Sequence, residues 1–284
     1  PLPGEKIGEI EVVAPALDAL VLVQGDPARD RSVAHVRIEG LSFRHSDWTL
    51  LPGGNSSTQA AVDVPAAILA DGAVDFRIAG CEVAHVGTYA IWLRRGCKDC
   101  RIDRNHLHDL GAGGIRLGEC RMAAADRDET ERALVENNYL HHGGRVFPAG
   151  VGVWVAQSGD NRIAHNEIHD FNYSGVSLGW NWNENPNRTH PNTVEFNHVH
   201  HVMGGMLSDG GAIYTLGTQT GTVIRDNHFH DVWPYMGAPA MAWGIYLDAG
   251  SNGLLIERNV VHHTLTGGLM NTGANGNTIR NNIF

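Results

Sequence analysis

Two aspartates stand apart in this chain, because a repeating pattern accounts for most of the other polar residues and leaves these two out. Asp209 lies in Ser208-Asp209-Gly210-Gly211-Ala212, and Asp248 in Ile245-Tyr246-Leu247-Asp248-Ala249-Gly250. At the places equivalent to Asp209 the chain carries Gly87, Gly111, Ala149, Asn172, Met241 and Leu265. At those equivalent to Asp248 it carries Arg94, Gly118, Ala156, Gly179, Leu216 and Thr272. A pair of carboxyl groups can cleave a glycosidic bond: one protonates the leaving oxygen, while the other attacks the anomeric carbon or activates a water. Turn chemistry is the alternative, since Asp before Gly-Gly and Asp after a strand are both ordinary turn residues.

The pattern that isolates them is a repeat. Ile102-x-x-Asn105-x-Leu107-His108 recurs from Val135, Ile163, Val194, Ile224 and Ile256, and a last copy opens at Ile279 with Asn282. Degenerate copies begin at Ile38 and Ile78, with Leu41 and Cys81 in the Asn place. Successive Asn places lie 23 to 40 residues apart, a spacing that suits solenoid coils with loops of varying length. Each coil also holds a Gly/Ala-apolar-x-apolar strand of period two, such as Gly114-Ile115-Arg116-Leu117 or Gly244-Ile245-Tyr246-Leu247. The expected fold is therefore all-β, a right-handed parallel β-helix of about nine coils with long loop insertions. Residues 1–35 form a lead-in with the first strands, and residues 36–284 form the solenoid. At about 4.8 Å per coil the rod is about 40 Å long.

Asn at its fixed place is expected to adopt a left-handed turn conformation and to ladder from coil to coil. His108, His141, His169, His200, His230 and His262 share one place, which favours a stacked ladder over a metal site. Asp109, Asp170 and Asp231 follow three of them and read as structural.

Insertions at 118–133, 179–192 and 232–243 are candidate cleft walls, and they carry Trp180, Trp182, Trp233, Tyr235 and Trp243. An outward strand row of Trp92, Arg116, Trp154, Tyr214 and Tyr246 adjoins them. Sugar rings stack on such faces, so Tyr214, Tyr246, Trp154, Arg116, Trp180, Trp182 and Trp243 are the candidate substrate-binding residues; packing of the loops is the competing role.

Composition narrows the partners. A net charge of -10 with only two lysines, Lys6 and Lys98, leaves no basic stripe for nucleic acid. No apolar run is long enough to span a bilayer, and Pro1 to Ile10 do not read as a signal peptide. The start without Met and the stop at Phe284 within a repeat suggest a piece of a longer chain. Cys81, Cys97, Cys100 and Cys120 include one Cys-x-x-Cys but lack a second ligand pair, so buried thiols are expected, with no metal and no cofactor. A monomer acting on carbohydrate is the expected state.

The stretches His35-Val-Arg-Ile-Glu-Gly-Leu-Ser-Phe43, His85-Val-Gly-Thr-Tyr-Ala-Ile-Trp92, His108-Asp-Leu-Gly-Ala-Gly-Gly114, Ser208-Asp-Gly-Gly-Ala-Ile-Tyr-Thr215 and Gly244-Ile-Tyr-Leu-Asp248 resemble the bacterial β-helix proteins of glycoside hydrolase family 141. The resemblance implies α-L-fucosidase activity on pectic glycans or xylanase activity, in a secreted or periplasmic enzyme. Its aspartate pair falls on Asp209 and Asp248. Two rival functions remain at this point. A polysaccharide lyase would use Arg94, Arg95 or Arg116 to hold or deprotonate a uronate, often with calcium. A non-catalytic carbohydrate-binding module would need the aromatic row and neither aspartate.

Overall fold

A computed structural model describes all residues except Pro1, Leu2, Ile7, Thr49, Leu51, Ser56 and Ala238. Its strands stack into three long parallel sheets of nine, nine and eight strands, the right-handed parallel β-helix that the repeat implies. The first sheet opens at Val21–Gln24, within the lead-in segment, and runs through Ala66–Asp71, Tyr89–Arg95, Ile115–Leu117, Val153–Val155, Val176–Leu178, Gly210–Thr215 and Ala242–Leu247 to Gly267–Asn271. Apolar residues spaced by two turn inward along each strand, so Ile68, Ile91, Ile115, Val153, Val176, Ile213 and Ile245 stack into a continuous buried core.

The ladder asparagines Asn105, Asn138, Asn166, Asn197, Asn227 and Asn259 are buried. Each donates from Nδ2 to the Oδ1 of the next, at 2.9 or 3.0 Å as far as Asn282. Asn166 shows the full account: its second Nδ2 hydrogen goes to the Val135 carbonyl, and its Oδ1 accepts from the backbone N–H and the side chain of Asn138. The left-handed backbone falls one residue earlier than expected, on Arg104, Asn137, His165, Phe196, Asp226, Arg258 and Asn281, with φ near 55°. Asn holds its place for its amide, which satisfies the buried corner, and not for tolerance of positive φ.

The six shared histidines stack in register along the third sheet, with centroids 4.7 to 5.2 Å apart. The positions just after them, Asp109, His142, Asp170, His201, Asp231 and His263, all have positive φ, which short polar side chains tolerate best. That is the structural role expected of the three aspartates. The second sheet's outer face carries ion pairs such as Arg77 with Asp103 and Arg225 with Glu195, in which partly exposed arginines satisfy buried carboxylates. The four cysteines are unpaired.

Candidate active site

Along the outer face of the first sheet the register aligns Leu22, Leu69, Trp92, Arg116, Trp154, Ser177, Tyr214, Tyr246 and Met270 in one row. Period two points these side chains out of the solenoid, but much of the row is covered. Residues 57–64 cross it: the Arg116 guanidinium donates to the Val62 carbonyl at 2.8 Å, and the Tyr89 hydroxyl to the Ala60 carbonyl. Arg116 is sandwiched between Trp92 and Trp154, 3.6 and 4.3 Å from their ring centroids, and Trp180 closes over Trp154. Burial lowers the Arg116 pKa to about 10, which leaves it cationic at neutral pH. Two expectations are thereby corrected: Arg116 and Trp154 are buried, so neither offers a face or a charge to a sugar.

Tyr214 and Tyr246 are also buried, and Trp243 nearly so, packed edge to face and tilted against one another. Their ring faces are not open to solvent. The hydroxyls instead reach the two aspartates in a reciprocal exchange. Tyr214, on the coil of Asp209, donates to Asp248 Oδ2 of the next coil at 2.5 Å. Tyr246, on the coil of Asp248, donates back to Asp209 Oδ1 at 3.1 Å. A seven-residue offset along the coil separates equivalent positions of the two acids, and the tyrosine pair spans it. Burial raises both tyrosine pKa values, so both phenols stay protonated and act as donors.

The corner carrying Asp209 is built by close approach. Asp209 has φ 65°, and its N–H bonds the Met241 carbonyl at 2.6 Å. A Cβ at Gly210 would meet Met203, Ser174 and Tyr173, and one at Gly211 the Trp243 carbonyl, so the Gly-Gly step lets adjacent coils touch. Asp209 is open to solvent on one side. Desolvation by its neighbours nevertheless raises its pKa; the Tyr246 hydrogen bond opposes this and the Asp248 charge adds to it. Asp248 is half-buried, its N–H bonded to the Thr215 carbonyl. The turn that follows it touches the 179–192 insertion, where Gly250 lies against the Asn183 backbone. Trp180 and Trp182 on that insertion pack edge to face, and Trp182 is 41% exposed.

Two contributors were not singled out in the sequence. Tyr173 donates to the Asp209 backbone carbonyl at 2.7 Å, and Gln59 donates to the Tyr173 hydroxyl at 2.8 Å while also facing Tyr214. Each left a signal. Tyr173 is the only aromatic residue among Thr88, Ala112, Gly150, Gly210 and Ala242 at its place, and Gln59 sits in the widest gap between repeats, the 40 residues from Leu41 to Cys81. The same segment borders a cavity of about 310 Å³ lined by Leu50, Ser57, Phe147, Pro148 and Leu207, the last two residues ahead of Asp209. Arg94, a candidate uronate-binding group, is bonded to Asp71 through two nitrogens.

Among solved structures, one described as a glycoside hydrolase superposes with a TM-score of 0.88 at 24% identity over 99% of this chain. The present chain spans only 53% of that protein. The DFA-IIIase from Arthrobacter chlorophenolicus A6, without its lid and in complex with GF2, matches at a TM-score of 0.52 and 20% identity, over 91% of this chain and 65% of its own. A periplasmic alginate epimerase matches at 0.52 and 12%, over 75% of this chain and 51% of its own. At these identities the likeness is one of fold. No curated protein sequence matches. Residues 66–235 match the family described as "Right handed beta helix region", and the chain belongs to that family.

Proposed function

We propose that this protein is a glycoside hydrolase acting on a plant or microbial polysaccharide, with fucosylated pectic glycan or xylan as the substrates to test. The observation that carries the reading is the reciprocal exchange in which Tyr246 holds Asp209 and Tyr214 holds Asp248. Asp209, whose pKa desolvation raises, is the residue assigned as the acid, passing a proton to the glycosidic oxygen as the bond to the anomeric carbon breaks. Asp248, fixed by Tyr214, either attacks that carbon or takes a proton from the water that does. Two carboxyl groups in unlike environments, bridged by protonated phenols, suit an acid paired with a base better than they suit turn formation alone. The exposed rings of Trp182, Trp233 and Tyr235, on insertions beside the two aspartates, form the sugar platform in place of the buried row. Polysaccharide is met outside the cytoplasm, so the same reading places the protein in a secreted or periplasmic setting.

The lyase alternative loses two of its three candidate bases, since Arg94 is paired with Asp71 and Arg116 is buried between two tryptophans. The deciding experiment incubates the chain with fucosylated pectic oligosaccharides and with xylan, following new reducing ends together with the ultraviolet absorbance of an unsaturated uronate. Reducing ends without that absorbance are expected. Absorbance rising with the reducing ends would replace the hydrolase with a lyase, and binding without either signal would leave a carbohydrate-binding module.

A further inference from the structure

On the third sheet, away from the aspartates, the histidines do more than stack. Strand Glu167–Phe171 lies beside His198–Val202, with Glu167 opposite His198. Glu167 Oε1 is 3.7 Å from His200 Nε2 and 4.0 Å from His198 Nδ1. The proton on His198 can be located by following its hydrogen bonds. Asp231 accepts only, so at 2.6 Å it takes the hydrogen of His230 Nδ1. With that hydrogen on Nδ1, the imidazole of His230 offers Nε2 as an acceptor, and His198 Nε2, 2.7 Å away, is assigned as the donor. Neutral His198 is left with a bare lone pair on Nδ1, facing a carboxylate oxygen. Two acceptors confront each other with no donor between them. The neighbouring His200 Nε2 is shielded from solvent and has no hydrogen-bond partner among the described residues, while its Nδ1 is engaged by His201 at 2.7 Å.

We propose that Glu167, His198 and His200 bind one zinc-class divalent transition-metal ion, clamping two adjacent coils. Ligand atoms around tetrahedral zinc, at about 2.0 to 2.2 Å from the metal, stand about 3.3 to 3.5 Å apart. The three ligand atoms lie within 4.8 Å of one another, so binding draws them together, and the exposed Glu167 side chain can close its two separations of 3.7 and 4.0 Å. Second partners orient both rings, as metal-bound imidazoles require: His230 with Asp231 behind His198, and His201 behind His200. Two carboxylate-free clusters suit a metal less well. Around His106, His108 and His141, the facing His106 and His141 Nε2 atoms already hydrogen-bond each other at 2.8 Å; around His198, His228 and His230, the His198 and His230 Nε2 atoms do so at 2.7 Å. Solvent completes the coordination, and the ion's role is structural.

The test uses the tag-free chain, stripped with chelator and titrated with Co²⁺ followed by its visible ligand-field bands, with Zn²⁺ displacing it. One equivalent is expected to bind, and Zn²⁺ to raise the melting temperature. Glu167→Gln, on an exposed side chain that the fold does not need, should weaken binding at least tenfold and remove the thermal shift. Asp231→Asn should also weaken it by releasing the tautomer of His198, and His106→Gln should leave it unchanged. Absence of binding at millimolar Co²⁺, binding that survives both Glu167→Gln and His198→Gln, or binding lost with His106→Gln would each overturn the assignment.

Discussion

The Tyr214 hydroxyl donates to Asp248 Oδ2 at 2.5 Å across the boundary between two coils, the two residues standing 34 positions apart in the chain. An O–H to carboxylate bond this short is a strong, charge-assisted one, and it fixes the direction in which Asp248 presents its other oxygen. Tyr214→Phe keeps the ring that packs against Tyr246 but frees the carboxylate. On whichever glycan proves to be the substrate, kcat should fall about 10- to 100-fold, or about 1.4 to 2.7 kcal/mol, with KM nearly unchanged. Steady-state kinetics beside a circular dichroism spectrum checks this; a rise in KM at constant kcat would make Tyr214 a binding residue instead.

Asp209→Asn separates catalysis from stability. Loss of the proton donor should lower kcat at least about 100-fold on substrates with poor leaving groups, and much less on an activated aryl glycoside. The pKa of Asp209 is raised in the folded protein, so the native state prefers the protonated form. Stability therefore declines as pH rises through that raised value and is least impaired below the ordinary carboxylate pKa. The neutral amide escapes this, and the variant should match or exceed the parent in urea midpoint at pH 8. A lower midpoint at pH 8 would mean that the charged carboxylate is favourable where it stands.

The histidine ladder should make the fold acid-sensitive well above the carboxylate range. Burial, followed by the charges of neighbouring histidines, lowers His141 to about 4 and His200 to about 3, from 6.5 in an open chain. A depressed pKa means that the unfolded chain takes up the proton first, so stability present above pH 6.5 is lost as pH falls towards 4. Urea midpoints in chelator from pH 7.5 to 4 should drop steadily, and His141→Gln should flatten the slope. A flat profile above pH 4.5 would show that the imidazoles titrate normally within the stack.

The solenoid was legible because each coil repeats the same demands: an apolar pair for the core, an amide for the corner and a ring for the stack. The aspartates were legible for the opposite reason, since nothing in the repeat explains them. What sequence could not supply is which outward residues stay uncovered. Trp154 and Arg116 lie on the outer row by period, yet residues 57–64 cross over Arg116 from a distant part of the chain and Trp180 closes over Trp154. Gln59 enters the site by the same crossing, 114 residues from its partner Tyr173. Local periodicity carries no information about such long-range coverage, and the conformation of the ladder was misplaced by one residue for a related reason: the pattern marks the corner without saying which residue bends.

Trp182 and Trp154 belong to one aromatic cluster, through Trp180, but they should fail differently when removed. Trp154 is fully buried and holds one face of Arg116, so Trp154→Ala opens a cavity and strips an enclosed cation of its cover. A loss of about 3 to 5 kcal/mol in unfolding free energy is expected, with activity falling only because less protein is folded. Trp182 leaves 41% of its surface to solvent beside the turn of Asp248, so its removal costs little stability. If sugar stacks there, Trp182→Ala should weaken oligosaccharide binding about tenfold, or about 1.4 kcal/mol, by calorimetry. The pair of variants discriminates between platform and packing in a way neither does alone: unchanged affinity in Trp182→Ala with lowered stability would assign the ring to holding down its own loop and move the subsite to Trp233 and Tyr235.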